Sequence, residues 1–220
     1  MSKPLYIFDL DETLIGADSS VLWHQFLVQK GIITDPTFLA EDARLMALYA
    51  AGKLDMPEYL HFSMAPLASL TQAQVDSLVD ECVEKCIMPT VFPQATQLLE
   101  QLKQDGITRI LISATVSFIV KKVAAKLGME HAMGIDMLVE DDHYSANILG
   151  VASYREGKVI RLESWLAEQT EIFTDIYFYT DSINDLPLCL FSQYPHVVNP
   201  CPQLTNYAQE KKWPQLSWGR

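Results

Sequence analysis

Two aspartates one residue apart follow the apolar run Leu5-Tyr6-Ile7-Phe8, in the segment Phe8-Asp9-Leu10-Asp11-Glu12-Thr13-Leu14. The run reads as a buried strand, and strand alternation sends Asp9 and Asp11 to one side while Leu10 points away. Carboxylates side by side at a buried strand end repel each other and are costly to desolvate, so they imply a cation or a reaction that needs them. Such a pair can divide nucleophilic from acid/base work, with a metal holding the charge together. Further polar groups end two other apolar runs: Ser113 follows Thr108–Ile112, and Asp181 follows Ile176–Thr180. Lys158, in Arg155-Glu156-Gly157-Lys158, lies between those two runs. Taken singly, Ser113 would cap a helix, Lys158 would sit in solvent, and Asp181 with Asp185 would charge a helix start.

The elements that must position these groups alternate. Helical patterns cover 93–105, 116–127 and 156–169. Between them lie the strands at 108–112, around 135–139 and at 176–180, and a short strand at 196–198 follows. A hairpin is expected around Asp141-Asp142-His143. Strands separated by helices imply a largely parallel α/β sheet covered on both faces, with ligands at the carboxyl ends of the strands. Residues 16–88 carry helical signals only, including a capping box at Thr71-Gln72-Ala73-Gln74. The expected organisation is a doubly wound, Rossmann-like core from 1–15 and 89–220, with an all-helical cap, 16–88, inserted after the first strand. A block placed at that edge is positioned as a lid that excludes water and selects substrate.

Composition narrows the partners. A chain of 220 residues has room for one core and a sizeable insertion. Its net charge of −12 argues against nucleic acid and anionic membranes. The run Ile110–Val120 is interrupted by Ser113, Thr115 and Ser117 and falls short of a membrane span, and no signal peptide precedes the first strand, so a soluble cytoplasmic protein is expected. Cys82, Cys86, Cys189 and Cys201 read as reduced packing thiols, and the five histidines show no ligand spacing.

In order and spacing, Asp9-Leu10-Asp11-Glu12-Thr13, Ser113, Lys158 and Asp181-Ser182-Ile183-Asn184-Asp185 resemble the haloacid-dehalogenase-like phosphatases. The branch most similar carries a helical cap between the first two motifs and contains phosphoserine phosphatase. The resemblance implies that Asp9 is the nucleophile accepting the phosphoryl group. Asp11 would protonate the leaving alcohol and then activate water, with Thr13 orienting it. Mg²⁺ would be held by Asp9, the Asp11 carbonyl and Asp181. Ser113 would donate to the phosphate and Lys158 would neutralise charge, while Asn184 and Asp185 would support the metal shell and fix Lys158.

Asp18 lies where phosphoserine phosphatases carry a carboxylate for the substrate's amine, and it is equally placed to cap a helix. Where those enzymes place an arginine for the substrate carboxylate, this chain has His61-Phe62-Ser63. Arg44 is the nearest alternative, and helical position does not fix which way it faces. A missing clamp favours a small phosphomonoester bearing an amine but no carboxylate, with histidinol phosphate first and phosphoethanolamine also possible. Trp23, Phe26, Phe38, Tyr49, Tyr59 and Phe62 could offer an imidazole a face or simply form core. The alternatives are a lipid phosphate such as phosphatidylglycerophosphate (with Trp213 and Trp218 touching an interface), phosphoserine itself, phosphoryl transfer to a second alcohol, and a non-catalytic binding module. Both monomer and homodimer are compatible with the cap.

Overall fold

The computed structural model describes residues 3–219. Six strands form one wholly parallel sheet: β1 (Lys3–Phe8), β2 (Thr108–Val116), β3 (His131–Ile135), β6 (Phe173–Thr180), β7 (Tyr194–Val198) and β8 (Gln215–Leu216), in the order β3-β2-β1-β6-β7-β8. β4 (Met137–Glu140) and β5 (His143–Ile148) make a separate antiparallel hairpin. At its tip Asp141 and Asp142 both have positive φ, 48° and 63°, the twist a two-residue turn requires.

The sheet is doubly wound because its strands are apolar on both sides. Leu5, Ile7, Ile110, Ile112 and Phe178 pack on one face against Leu162 of α7 (Glu156–Glu168) and Leu188 of α8 (Leu186–Phe191). Phe8 and Leu111 pack on the other, against α5 (Pro93–Gln104) and α6 (Ser117–Lys126). The last helix, α9 (Pro202–Lys211), covers Val197.

β1 lies between β2 and β6, so its carboxyl end opens where the strand order reverses direction, the usual ligand position in such sheets. Between β1 and α5 the chain is helical: α1 (Ser19–Gln29), α2 (Phe38–Ala50), α3 (Met56–Met64) and α4 (Gln72–Cys82), followed by one π turn at 83–87. The expected capping box at Thr71 is formed, with Thr71 and Gln74 bonding each other's backbone. The two ends of this helical block are tied together, because Gly16 N–H donates to Thr90 O at 2.8 Å and Phe92 N–H to Leu14 O at 3.0 Å. Trp218 packs near Phe92 and Tyr179, and Trp213 against Tyr207, so both tail indoles dock on the body. Among the described residues all four cysteines are unpaired, and no helix is long and apolar enough to cross a membrane.

Candidate active site

The site begins where β1 ends. Asp9 N–H still bonds Tyr179 O at 2.9 Å, and then the chain coils so tightly that Leu10 O accepts from Thr13, Leu14 and Ile15. Asp11 thus reaches the site through this coil, with Glu12 at φ 54°, and strand alternation past Phe8 plays no part. Lys158 comes from the first turn of α7. Gly157 beside it is required, because a Cβ there would lie 1.9 Å from Ala152 O.

Lys158 is the electrostatic centre. Its ammonium lies 2.7 Å from Asp9 Oδ1 and 2.7 Å from Asp185 Oδ1, with the side chain only 1% exposed. Thr180 Oγ1 donates to Asp185 Oδ2 at 2.7 Å and fixes the far carboxylate. Burial opposes the lysine's charge, but Asp185 and Asp9 outweigh it and hold its pKa above the ordinary lysine value. Burial drives the Asp9 carboxyl up to about 8; Lys158 opposes this, while Asp185 and Asp11 add to it. Asp181 is raised well above the carboxylate range by burial and then by Asp9 and Asp185.

Lys158 pairs with Asp9 and Asp185, while Asp11 and Asp181 add two more carboxylates that act on Asp9 and, among the described residues, have no ammonium of their own in contact, a negative excess that a divalent cation would relieve. Among the described residues no group of three His, Cys, Asp or Glu side chains is arranged for a metal. A donor set of two carboxylates, Asp9 and Asp181, plus the Asp11 carbonyl still fits Mg²⁺, a hard ion that keeps several waters and takes one or two carboxylates.

Asp11 is held from three sides. Ser19 N–H donates to Oδ1 at 2.6 Å, while Thr115 Oγ1 at 3.0 Å and Ser113 Oγ at 3.2 Å donate to Oδ2. Ser113 is thus brought to the site, but on Asp11. Thr13, expected beside Asp11, instead donates to Asp181 Oδ1 at 3.3 Å, because the tight turn carries its side chain towards β6. Asp185 does fix Lys158, whereas Asn184 does not touch it: Asn184 Nδ2 donates to Tyr49 O at 2.9 Å and joins the core to the helical block. Arg155, beside it, donates to the Gly52 carbonyl and to Asn184 Oδ1.

Between block and core lies a cavity of about 30 Å³, lined by the polar side chains of Asp11, Asp18, Ser20, Tyr49, Tyr59 and Thr115 and the apolar ones of Met46, Leu54 and Met56. That volume holds about a water molecule. A larger cleft, about 500 Å³, lies at the amino ends of β2 and β3 beside Thr108 and His131, away from the carboxylates.

Asp18 is a helix cap that also borders the cavity. It caps α1 by accepting from Val21 N–H at 3.0 Å. Arg44 does not come to the site: it pairs with Glu41 at 2.6 Å on the outer face of α2, its side chain 53% exposed. Of the six candidate aromatics only Tyr49 and Tyr59 reach the cavity; Trp23, Phe26 and Phe38 are core, and Phe62 stacks on Phe38. Thr115, Thr180 and Arg155 carried no site expectation. Of these only Thr115 had a signal, since it stands two residues beyond Ser113.

Residues 6–189 match the haloacid dehalogenase-like hydrolase family. A histidinol-phosphatase of Neisseria meningitidis serogroup C is 36% identical over 220 residues, covering 98% of this chain and 99% of the relative. A solved structure from Bordetella pertussis Tohama I, of unknown function, shares 32% identity and a TM-score of 0.90 over 98% of this chain and 99% of its own. A phosphoserine phosphatase solved as a phospho-aspartyl intermediate analogue shares the fold, with a TM-score of 0.72 at 19% identity, over 100% of this chain and 95% of its own. With its carboxylates gathered around Lys158 at the carboxyl edge of a doubly wound sheet, the chain belongs to the haloacid dehalogenase-like hydrolases and is a phosphoric monoester hydrolase.

Proposed function

We infer that this enzyme is a Mg²⁺-dependent phosphatase of a small amine-bearing phosphomonoester, with histidinol phosphate the foremost substrate. The observation that carries the reading is the cavity itself. A carboxylate, Asp18, faces it, and no arginine, lysine or histidine lines it. In the segment where phosphoserine phosphatases carry the arginine, His61 turns to Pro57 O, Phe62 stacks on Phe38, and Ser63 bonds His24. An ammonium is attracted there, whereas a substrate carboxylate meets Asp11 and Asp18 with no cation to receive it. The name of the Neisseria relative agrees.

In the chemistry proposed, an Asp9 oxygen forms a bond to phosphorus as the phosphorus–alcohol bond breaks, and the Asp11 carboxyl gives its proton to the departing oxygen. Asp11 then takes a proton from water, whose oxygen attacks phosphorus and returns Asp9 as carboxylate. Lys158 offsets the charge that accumulates when an anion attacks an anion, and Ser113 and Thr115 orient Asp11. Mg²⁺, when bound by Asp9, Asp181 and the Asp11 carbonyl, supplies further charge neutralisation on the phosphoryl oxygens. The block 16–88 acts as the cap that excludes water and reads the alcohol.

The test is phosphate release from L-histidinol phosphate and from L-phosphoserine with Mg²⁺. Turnover of histidinol phosphate is expected to exceed that of phosphoserine at least ~100-fold, as a missing charged clamp is worth several kcal/mol. EDTA and Asp9→Asn should each abolish it. Preference for phosphoserine would overturn the substrate reading, and full activity of Asp9→Asn would overturn the nucleophile.

A further inference from the structure

Tyr59 is 5% exposed, and its buried hydroxyl has the Ser20 hydroxyl beside it but forms no hydrogen bond of full geometry, so that its accepting lone pairs stay unused. Buried hydroxyls are almost always satisfied, and an exception at a cavity wall asks for a ligand. The ring is packed into the block. It stands in the first turns of α3, whose start is locked by the Asp55 cap on Glu58 N–H at 2.9 Å. Behind it the His24 ring makes an edge contact at 6.4 Å, and His24 is itself held by Ser63 at 2.8 Å and Asp42 at 2.9 Å. Tyr59 and Asp18 line the same cavity from two different elements, α3 and the cap of α1.

We propose that Tyr59 is a specificity-determining residue whose phenolic oxygen accepts a hydrogen bond from the substrate's ammonium while Asp18 takes another, so that the amine is read by a carboxylate–phenol pair. This rests on the amine-bearing reading of the substrate. An ammonium has three N–H donors and no acceptor, and a phenol oxygen can accept from it while donating its own hydrogen to the neighbouring Ser20 hydroxyl. A substrate with hydrogen or hydroxyl in place of the amine satisfies Asp18 and Tyr59 less well, and the polar groups left unpaired penalise it. The pair thus selects by charge and by donor count together.

The decisive experiment compares wild type with Tyr59→Phe on L-histidinol phosphate and on its deaminated counterpart, 3-(imidazol-4-yl)propyl phosphate, both with Mg²⁺. Phenylalanine keeps the ring and deletes an oxygen whose one neighbour, the Ser20 hydroxyl, is bonded only weakly in the free protein, so the variant should melt close to the wild-type temperature. The expected result is a roughly tenfold loss of kcat/KM on the amine ester, mostly in KM, with less than about twofold on the deaminated one. Equal losses on both esters, or none on either, would overturn the role of Tyr59. If wild type itself does not prefer the amine ester, the amine reading fails and this inference fails with it. If wild type prefers it and Tyr59→Phe keeps that preference, only the inference about Tyr59 falls.

Discussion

Asp18 shows how much one carboxylate can be asked to do. It caps α1, it faces the cavity, and its carboxyl is pushed up to about 7, first by burial and then by Asp11, against the hydrogen bonds from Val21 and Ser20. Between the unfolded value near 4 and about 7 the folded chain holds a proton that the unfolded chain has lost, so this group makes stability fall as pH rises through that window. A bound ammonium reverses the preference by favouring the ionised form. The kcat/KM ratio of the amine ester to the deaminated ester should therefore rise as pH passes about 7, and Asp18→Asn should flatten it. Phosphate and imidazole titrations are the same for wild type and Asp18→Asn, so comparing the two proteins isolates the carboxylate, and a ratio that rises equally in both would remove Asp18 from amine recognition. Asp9, Lys158, Asp181 and Asp185 stand where strand ends and short motifs put them in the sequence, whereas Asp11 is brought in by the coil after β1. Tyr59 and Thr115 belong to no motif, since their meaning comes from elements folding against each other. Arg44 was the opposite case: Glu41, three residues before it, was a ready partner on the helix surface, and it holds the guanidinium outward.

At the level of elements, helix positions were read closely, while strand ends were not. β2 continues to Val116, beyond the expected end at Ser113, because its tail pairs Val116 with Ile135 of β3. β3 itself, His-Ala-Met-Gly-Ile, has little strand character in its composition and was expected only from Ile135 onward. Its Gly134 is needed for tertiary reasons, as a Cβ there would lie 2.7 Å from Thr115 O. Inside the helical block, α1, α2 and α3 are joined by Asp42, His24 and Ser63, all buried. The order resembles that of an acid, a base and a nucleophile, but Ser63 lines none of the cavities described, so the trio is a scaffold. Asp42→Asn replaces the buried carboxyl that lies 2.9 Å from His24 Nδ1 and should cost about 2–3 kcal/mol of stability, read by urea unfolding. A loss below about 0.5 kcal/mol would mean that the pair holds nothing together.

Over the whole molecule the helical block is fastened to the core on several sides. Lys122 and Lys126 of α6 pair with Asp80 and Glu84, Gln72 N–H bonds Asp142 O of the hairpin, and Arg155 and Asn184 hold the loop after α2. The surface ion pairs are worth little individually. The Arg155 contact is different, because its guanidinium is drawn inward to a backbone carbonyl at Gly52 and stacks 4.9 Å from Tyr154. Arg155→Ala should speed amide exchange around Gly52 about tenfold while the amides of β1 and β6 keep their protection. Uniform acceleration through the sheet would show instead that Arg155 supports the whole fold. A 30 Å³ cavity cannot admit a phosphomonoester unless this fastening loosens.

The two hydrogen bonds that join Gly16 to Thr90 and Phe92 to Leu14 make the insertion's two ends a single axis. A rotation of the insertion about that axis would carry Asp18, Tyr49 and Tyr59 together and leave Asp9, Asp181 and Asp185 with the sheet. Substitutions at Asp18, Tyr49 or Tyr59 would therefore change the wall of the cavity without moving an oxygen of the pair that Lys158 makes with Asp9 and Asp185.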